Sequence, residues 1–411
     1  MRGIHIIQAA LLAAIACATT YAAPQASGQT TKLIETEAPH AKLRKQTAEP
    51  IQQAFTFLRS SQQDNGAWLG HTGGADPAVT ALVVKAFIHH PDYGVEHEAV
   101  TRGIRFVLQF QQPDGGIYDP DLGYANYTTS IAVTMLAATN DDVHKDTIEK
   151  ARKYLVGNQW DESKEDLDGT QVDTGHPWYG GAGYAAQKRP DLSNTQMMLD
   201  ALHASGLPTS DPAYQKALRF IHRCQMQSQL NDLPFARGAD DGGFIYSPAN
   251  GGESKAGTVQ IGEREFLRSY GSMTYAGFKS LLYAGVERDD PRVRTAFKWI
   301  QKHYTLEQNP NMPWKQSAEG LYYYYHVFAK ALNAWGEDTI TDSDGNKHNW
   351  RAELCDVLLE RQRDDGSWIN DEDRWHEGNA NLVTAYALLA LEETLGMAVA
   401  PHVTKAIDSS P

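Results

Sequence analysis

"FLRSSQQDNGAWL", residues 57–69, returns near the far end of the chain as "VLLERQRDDGSWI", residues 357–369. Both place two adjacent apolar residues four positions ahead of a glutamine, and both then read Gln–x3–Gly–x–Trp: Gln62, Gly66 and Trp68, then Gln362, Gly366 and Trp368. "FVLQFQQPDGGIY" (106–118) nearly completes the same pattern with Gln111, Gly115 and Tyr118. The glutamine recurs as Gln159 and Gln225, and Tyr304 stands in its place after Trp299 and Ile300. A period of this kind is the signature of a repeat architecture.

One unit has a readable physical logic. The segment before each glutamine is an amphipathic helix with 3.6-residue spacing, as in Leu218, Ile221 and Cys224. Asp–Asn–Gly, Pro–Asp–Gly or Asp–Asp–Gly then stops it in a turn. The glutamine can bond to helix-end groups that lack intrahelical partners, and the tryptophan packs against it. A second helix follows each turn: "DPAVTALVVKAF" (76–87), "YTTSIAVTMLAA" (127–138), "LSNTQMMLDAL" (192–202), "YGSMTYAGFKSLL" (270–282), "YYYYHVFAKALNAW" (322–335) and "NLVTAYALLALEE" (381–393). These are apolar or small around most of their surface, which predicts burial on both sides. Six hairpins of an amphipathic outer and a buried inner helix predict an all-α fold, an α/α toroid. The repeats run over about 47–90, 96–139, 141–205, 210–285, 289–336 and 349–395, inside a toroid domain of 47–398. Repeats 3, 4 and 5 carry long loops at 160–190, 229–268 and 305–318, and loops of that length usually serve function.

The ends read differently. Arg2, an apolar run over 6–18 and small residues near Ala22 and Ala23 make residues 1–23 a secretory signal peptide. "AIAC", ending at Cys17, keeps a lipid anchor open as an alternative. Residues 24–46 form a flexible lead-in and 399–411 a C-terminal tail. The expected location is therefore periplasmic or secreted, with no transmembrane segment. The formal net charge of −14 argues against a nucleic-acid partner. Cys224 and Cys355 fall on outer helices 4 and 6, separated by repeat 5, so no disulfide is expected.

The Gln–x3–Gly–x–Trp units on helical hairpins resemble the prenyltransferase and squalene-cyclase repeat family, over roughly residues 47–395. That family includes terpene cyclases and the β-subunits of protein prenyltransferases. "SYGSMTYAGFKSLLYAG" (269–285) and "GLYYYYHVFAKALNAWGEDT" (320–339) look closest to exported bacterial members. The resemblance implies an α/α toroid around a central cavity for an isoprenoid-like ligand. It also implies where chemistry would sit. Cyclases of the family protonate an alkene with the middle Asp of Asp–x–Asp–Asp at the start of an inner helix, a task that needs a tuned carboxylic acid. The matching stretch here is Asp191–Leu192–Ser193–Asn194. Ser193 holds the donor's place and cannot protonate an alkene, so the trio Asp191, Ser193 and Asn194 reads as a degenerate motif or a helix cap. Prenyltransferase β-subunits hold zinc through an Asp, a Cys and a later His. His326 resembles the last ligand, but Arg268–Gly271 supplies neither carboxylate nor thiol, so no metal and no cofactor are expected. "TDSDGNKHNW" (341–350) places Gly345 too early for a calcium loop and predicts a turn before outer helix 6.

Aromatic residues carry the positive signal. The repeat phase puts Trp178, Tyr179, Tyr184, Tyr270, Tyr322, Tyr325 and Trp375 at the end of the toroid where inner helices begin, so they are the candidate cavity residues. Asp241, His326, Asp373 and Glu377 are the candidate catalytic groups, although "GADDGGFIYS" (238–247) also parallels the repeat turns. An aromatic mouth suits isoprenoid chains by apolar contact and sugar rings by stacking. Three functions follow: an exported cyclase-like toroid that binds or transforms an isoprenoid-like ligand without the usual protonation motif, an exported carbohydrate-active enzyme or sugar binder, or a non-catalytic interaction scaffold. Whether the chain is an enzyme stays open, as does its oligomeric state.

Overall fold

The structure, a computed structural model, describes residues 40–397. The expected signal peptide, most of the lead-in and the C-terminal tail lie outside the described residues. Among the described residues, twelve α-helices alternate between two layers. The outer helices are α1 (Ala41–Ser61), α3 (Glu98–Leu108), α5 (Lys145–Asn158), α7 (Pro212–Cys224), α9 (Pro291–Lys302) and α11 (Trp350–Glu360). The inner helices are α2 (Pro77–His89), α4 (Ala125–Ala138), α6 (Leu192–Ala204), α8 (Gly271–Tyr283), α10 (Leu321–Trp335) and α12 (Ala380–Thr394). Each inner helix packs on the next, and α12 returns to α2, so the six close into a ring. This is the expected α/α toroid.

Helix α1 begins earlier than the pattern suggests. Residues 41–46, expected in the lead-in, are helical. Residues 41–49 contain no glycine or proline to stop a helix, and Arg44 donates to the carbonyl of Leu395 just beyond α12. Pro50 sits inside α1, whereas Pro212 and Pro291 open α7 and α9. The repeat proper therefore starts near Pro50, and the preceding turns are an addition that fastens the ring's closure.

The repeat motif is a hydrogen-bonding device. Trp68 Nε1 donates to the Leu58 carbonyl at 2.7 Å, and Trp368 Nε1 donates to the Leu358 carbonyl at 2.7 Å. Gln62 Nε2 donates to the Gly66 carbonyl and to the Ala99 carbonyl of α3. Gln159 likewise reaches Gly180 and Ala213, and Gln225 reaches Gly242 and Arg292. Gln362 reaches Gly366 and Pro50, joining the last repeat to the first. Each of these four glutamines fastens its own turn to the next outer helix, whereas Gln111 is exposed and its neighbour Gln112 bonds within its own turn to the Phe110 and Tyr118 carbonyls. A threonine in the first turns of five inner helices completes the unit: Thr80, Thr129, Thr195, Thr274 and Thr384 accept the backbone N–H of Trp68, Ile117, Ala182, Phe244 and Trp368.

The turn glycine is required twice over. Gly180 has φ +83, and a Cβ there would come within 1.7 Å of the Lys216 carbonyl oxygen on α7. Gly180→Ala is therefore expected to destabilise the protein by roughly 2–3 kcal/mol, from left-handed strain plus overpacking. A urea midpoint unchanged from that of the parent protein would contradict this account.

Three short antiparallel hairpin pairs decorate the ring: β1 (Gln225–Gln227) with β2 (Asp240–Phe244), β3 (Thr258–Ile261) with β4 (Arg264–Leu267), and β5 (Thr339–Thr341) with β6 (Lys347–Asn349). The predicted turn at 341–350 is the tip of the last pair, with Gly345 at φ +89. Cys224 and Cys355 are both free and buried.

Candidate functional site

A cavity of about 570 Å³ opens at the end of the ring where the inner helices start. Every inner helix contributes its first turns to it: Val79, Tyr127, Ser193, Met273, Tyr323 and Tyr386 are one lining residue from each. The long loops supply the rest of the wall, with Tyr184 from repeat 3, Tyr246 and Lys255 from repeat 4, Met312 and Glu319 from repeat 5, and 373–376 from repeat 6. Tyr124 and Tyr270 bring the lining tyrosines to seven, so the wall offers aromatic faces together with hydroxyl groups. Tyr127 and Tyr386 hydroxyls pair at 3.2 Å, and Tyr184 packs edge-on against Tyr124 at 5.5 Å. Burial holds the Tyr127 hydroxyl protonated and pushes its pKa up to about 12.

Several predicted residues lie here. Tyr184, Tyr270, Trp375, Asp373 and Ser193 all line the cavity. Trp375 and His376 are consecutive non-glycine residues in the left-handed region, with φ of 66 and 67. Such strain concentrates at functional sites because surrounding structure must hold it in place. Here Lys255 lies 5.7 Å from the Trp375 ring centre, Arg374 lies 4.7 Å from it, and the His376 ring stacks on His71 at 3.6 Å. Asp373 accepts the Gly378 N–H at 2.8 Å, which ties it to its own loop.

Other predicted residues lie elsewhere. Trp178 and Tyr179 form a private small core with Trp160, Val172 and Ala249, because the long third loop must bury its own apolar side chains. Trp178 packs edge-on against Trp160 at 4.9 Å, and Tyr179 donates to Glu162 at 3.0 Å. Tyr322 and Tyr325 are core residues; Tyr325 donates to the Leu306 carbonyl at 2.6 Å. Of the four successive tyrosines, Tyr323 alone lines the cavity. Tyr323, His326 and Lys330, spaced i, i+3 and i+7, form the inward face of α10.

The catalytic candidates divide in the same way. Asp241 Oδ1 accepts the Gly243 N–H at 2.9 Å, the same turn contact that Asp114 makes to Gly116 and Asp365 makes to Ser367. Its other oxygen accepts from Ser269 at 2.6 Å, and it does not line the cavity. Asp241 is a repeat-turn residue and cannot pair with Asp373 across the mouth. Glu377 is fully buried and accepts the N–H groups of Tyr322 and Tyr323 at 3.2 and 2.7 Å, capping α10 from the next repeat. Burial pushes its carboxyl up to about 7, while Asn370 and these backbone donors pull the other way. His326 is buried below the cavity floor, with its ring stacked 5.5 Å from that of Tyr386 and Nδ1 lacking a hydrogen-bond partner. Burial, reinforced by Lys330, Lys85 and Lys279, keeps it neutral, far below the usual histidine range.

The degenerate motif behaves as a cap with one exposed member. Asp191 Oδ1 accepts the Asn194 N–H and Oδ2 accepts from Asn194 Nδ2, both at 2.8 Å. Burial pushes the Asp191 carboxyl up to about 6. Ser193 turns into the cavity, and its hydroxyl pairs with that of Tyr323 at 3.0 Å.

From that pair a chain of polar contacts descends the axis of the ring. Gln196 Nε2 donates to the Tyr323 oxygen at 3.2 Å, and Gln196 Oε1 accepts from Lys279 Nζ. Lys279 also donates to Asp200 Oδ1 at 2.5 Å, and Lys330 binds Asp200 Oδ2. The residue pattern does not single out Asp200, Lys279 or Lys330, and it places Tyr323 at this end of the ring only as one of four successive tyrosines. A lone charge inside an otherwise apolar inner helix, as in "FKSLL" and "FAKAL", was the available signal. Tyr323→Phe is expected to cost about 1–2 kcal/mol, because it strips a partner from Gln196 and Ser193. Equal urea midpoints for Tyr323→Phe and the parent would show that the chain contributes nothing.

No known family model matches the chain, and no curated protein matches it in sequence. Solved structures do match in fold. An apo variant of the type II terpene cyclase MstE from Scytonema aligns with a TM-score of 0.54 at 15% identity, over 87% of this chain and 99% of that chain. Another MstE variant, in complex with its substrate geranylgeranyl dihydroxybenzoate, aligns with a TM-score of 0.53 at 15% identity over the same shares. A D-mannose isomerase aligns with a TM-score of 0.52 at 12% identity, over 87% of this chain and 99% of that chain. These likenesses establish the α/α toroid. At such identities they establish the fold alone. Among the described residues, no helix is long and apolar enough to cross a membrane.

Proposed function

We propose that this chain is an exported toroid that binds, and in its cell transforms or carries, an apolar isoprenoid-like ligand bearing at least one oxygen function. The carrying observation is the cavity of about 570 Å³ lined by seven tyrosines at the start of the inner helices. Its apolar wall, with Val79, Met273, Met312 and Leu382, suits a hydrocarbon chain, and the tyrosine hydroxyls suit a polar group on that chain. The fold shared with a terpene cyclase that binds a geranylgeranyl compound supports the reading, as does the repeat pattern of residues 57–69 and 357–369.

The acids on the cavity wall are tied to their own segments: Asp373 accepts the Gly378 N–H and Glu319 accepts from Gln316 Nε2. Ser193 stands at the position where the resembling cyclases hold their donor. Asp76 lines the cavity but is engaged in capping α2 through the N–H groups of Ala78 and Val79. Any proton handled at the floor would pass through the Tyr323 hydroxyl, whose oxygen faces both Gln196 and Ser193. A sugar ligand is the second reading, favoured by stacking faces beside the charged rim of Lys255, Arg374 and Asp373. Native mass spectrometry of the purified chain, followed by solvent extraction, separates the two. Recovery of a stoichiometric isoprenoid-type lipid is the expected result. A ligand-free protein that saturates with a monosaccharide and ignores geranylgeraniol would overturn it.

A further inference from the structure

A second cavity, of about 770 Å³, opens at the opposite end of the ring, where the inner helices finish. Lys85, His89, Asp200, His203, Lys330 and Glu393 reach it from α2, α6, α10 and α12. Nearly every charge around it is already matched. Lys330 and Lys279 hold Asp200 between them, Asn333 donates to Glu393 at 2.6 Å, and His89 Nδ1 faces Glu392 at 2.8 Å. Lys85 is the exception. It is the one residue of α2 that is not fully buried, and its amine has no hydrogen bond and no salt bridge of its own. An inner helix whose other polar side chains are Thr80 and His89 thus presents a single free amine to the cavity, beside a second lysine.

We propose that this cavity is a carbonyl-binding site in which the Lys85 amine forms a Schiff base with a small polar aldehyde or ketone. The neutral amine attacks the carbonyl carbon, the C=O π pair moves to oxygen, and one proton passes from the now positively charged nitrogen to that oxygen. The resulting carbinolamine then expels that oxygen as water after a second protonation, leaving C=N in place of C=O, with no oxidant or reductant consumed. The surroundings suit each step. Burial, and then the neighbouring Lys330 charge, lowers the Lys85 amine to about 8, against the opposing pull of Glu393, Asp200 and Glu392, so a useful fraction is neutral near pH 7. His89 stays neutral, lowered to about 3 by burial and by Lys85 and Lys330, and so adds no further positive charge beside the amine. From α4 only the uncharged Thr134, Leu136, Ala137 and Ala138 face this space. Lys279 shares the cluster but is fully buried, bonded to Asp200 and Gln196, and does not line the cavity. The acids and the Asn140 and Asn333 amides on the wall suit a carbonyl compound that carries hydroxyl groups.

Reductive trapping tests this directly. The full chain is incubated with glyceraldehyde and cyanoborohydride across pH 6–10, and modified lysines are mapped by peptide mass spectrometry. Lys85 is expected to label on the order of tenfold faster than surface lysines at pH 7.5, with labelling half-maximal near pH 8 rather than above 10. Lys85→Arg is expected to abolish the fast label while leaving the melting temperature unchanged. Labelling of Lys85 no faster than of surface lysines, a half-maximum above pH 10, or a fast label that survives in Lys85→Arg would overturn the proposal. Failure here leaves the reading of the aromatic cavity untouched, because the two sites lie at opposite ends of the ring.

Discussion

Asp200→Ala is expected to lower the free energy of unfolding by about 3–5 kcal/mol, the usual cost of removing one partner from a buried ion cluster. Asp200 is 5% exposed and holds two lysines from different inner helices, Lys279 on α8 and Lys330 on α10. The mutation would leave both ammonium groups beside His326 with no anion between them, in an interior where an unpaired charge is strongly disfavoured. Burial alone would raise the Asp200 carboxyl, but the two lysines more than reverse that and hold it far below the usual carboxylate range. The sign of the pH dependence follows. A carboxyl depressed in the folded state contributes stability above its unfolded pKa, about 3.9, and that contribution fades as pH falls toward the folded value. The gap between parent and variant in urea titrations should be full at pH 7 and begin to narrow below about pH 4. A gap under 1 kcal/mol at pH 7 would mean that solvent from the lower cavity already screens the cluster.

Much of this protein can be read from its sequence, for a physical reason. Gln62, Gly66 and Trp68 recur because one set of contacts, a glutamine fastening its turn to the next outer helix, is made at four of the six steps of the closed ring. A repeated contact leaves a repeated residue. The placement of Ser193 and Trp375 at the mouth followed from the same phase. What the phase does not contain is the direction of a side chain. Tyr322, Tyr323 and Tyr325 share a helix, but the inward one is set by how α10 is rotated against α8 and α12. Trp178 and Tyr179 lie away from the cavity for a related reason: a long loop can enclose its own core, and periodicity says nothing about loops. Asp241 carried both signals at once, an acid and a turn, and the turn prevailed.

Ser193→Trp is expected to weaken binding of geranylgeraniol by at least about 100-fold, close to 2.7 kcal/mol. Ser193 is half-buried on the wall of the aromatic cavity, so an indole there would project into open space and occupy a substantial part of about 570 Å³. It would also take the hydroxyl away from Tyr323. Because the new ring enters a void and not a packed core, the fold should survive with a loss of roughly 1 kcal/mol or less, well below ordinary overpacking costs. Separating the two effects requires calorimetry for the ligand and urea melting for the fold on the same preparation. Unchanged affinity in a folded Ser193→Trp protein would place the ligand elsewhere.

The most direct measurement of the central claim is a fluorescence titration that isolates Trp375, the 37% exposed tryptophan at the mouth of the cavity. The parent protein and Trp375→Phe are titrated with geranylgeraniol, and the difference between their emission curves is followed. The account predicts a saturable change in the parent, lost in Trp375→Phe and shifted to far higher concentration in Ser193→Trp. No saturable difference, or one that Ser193→Trp leaves in place, would contradict the assignment of the tyrosine-lined cavity as the ligand site.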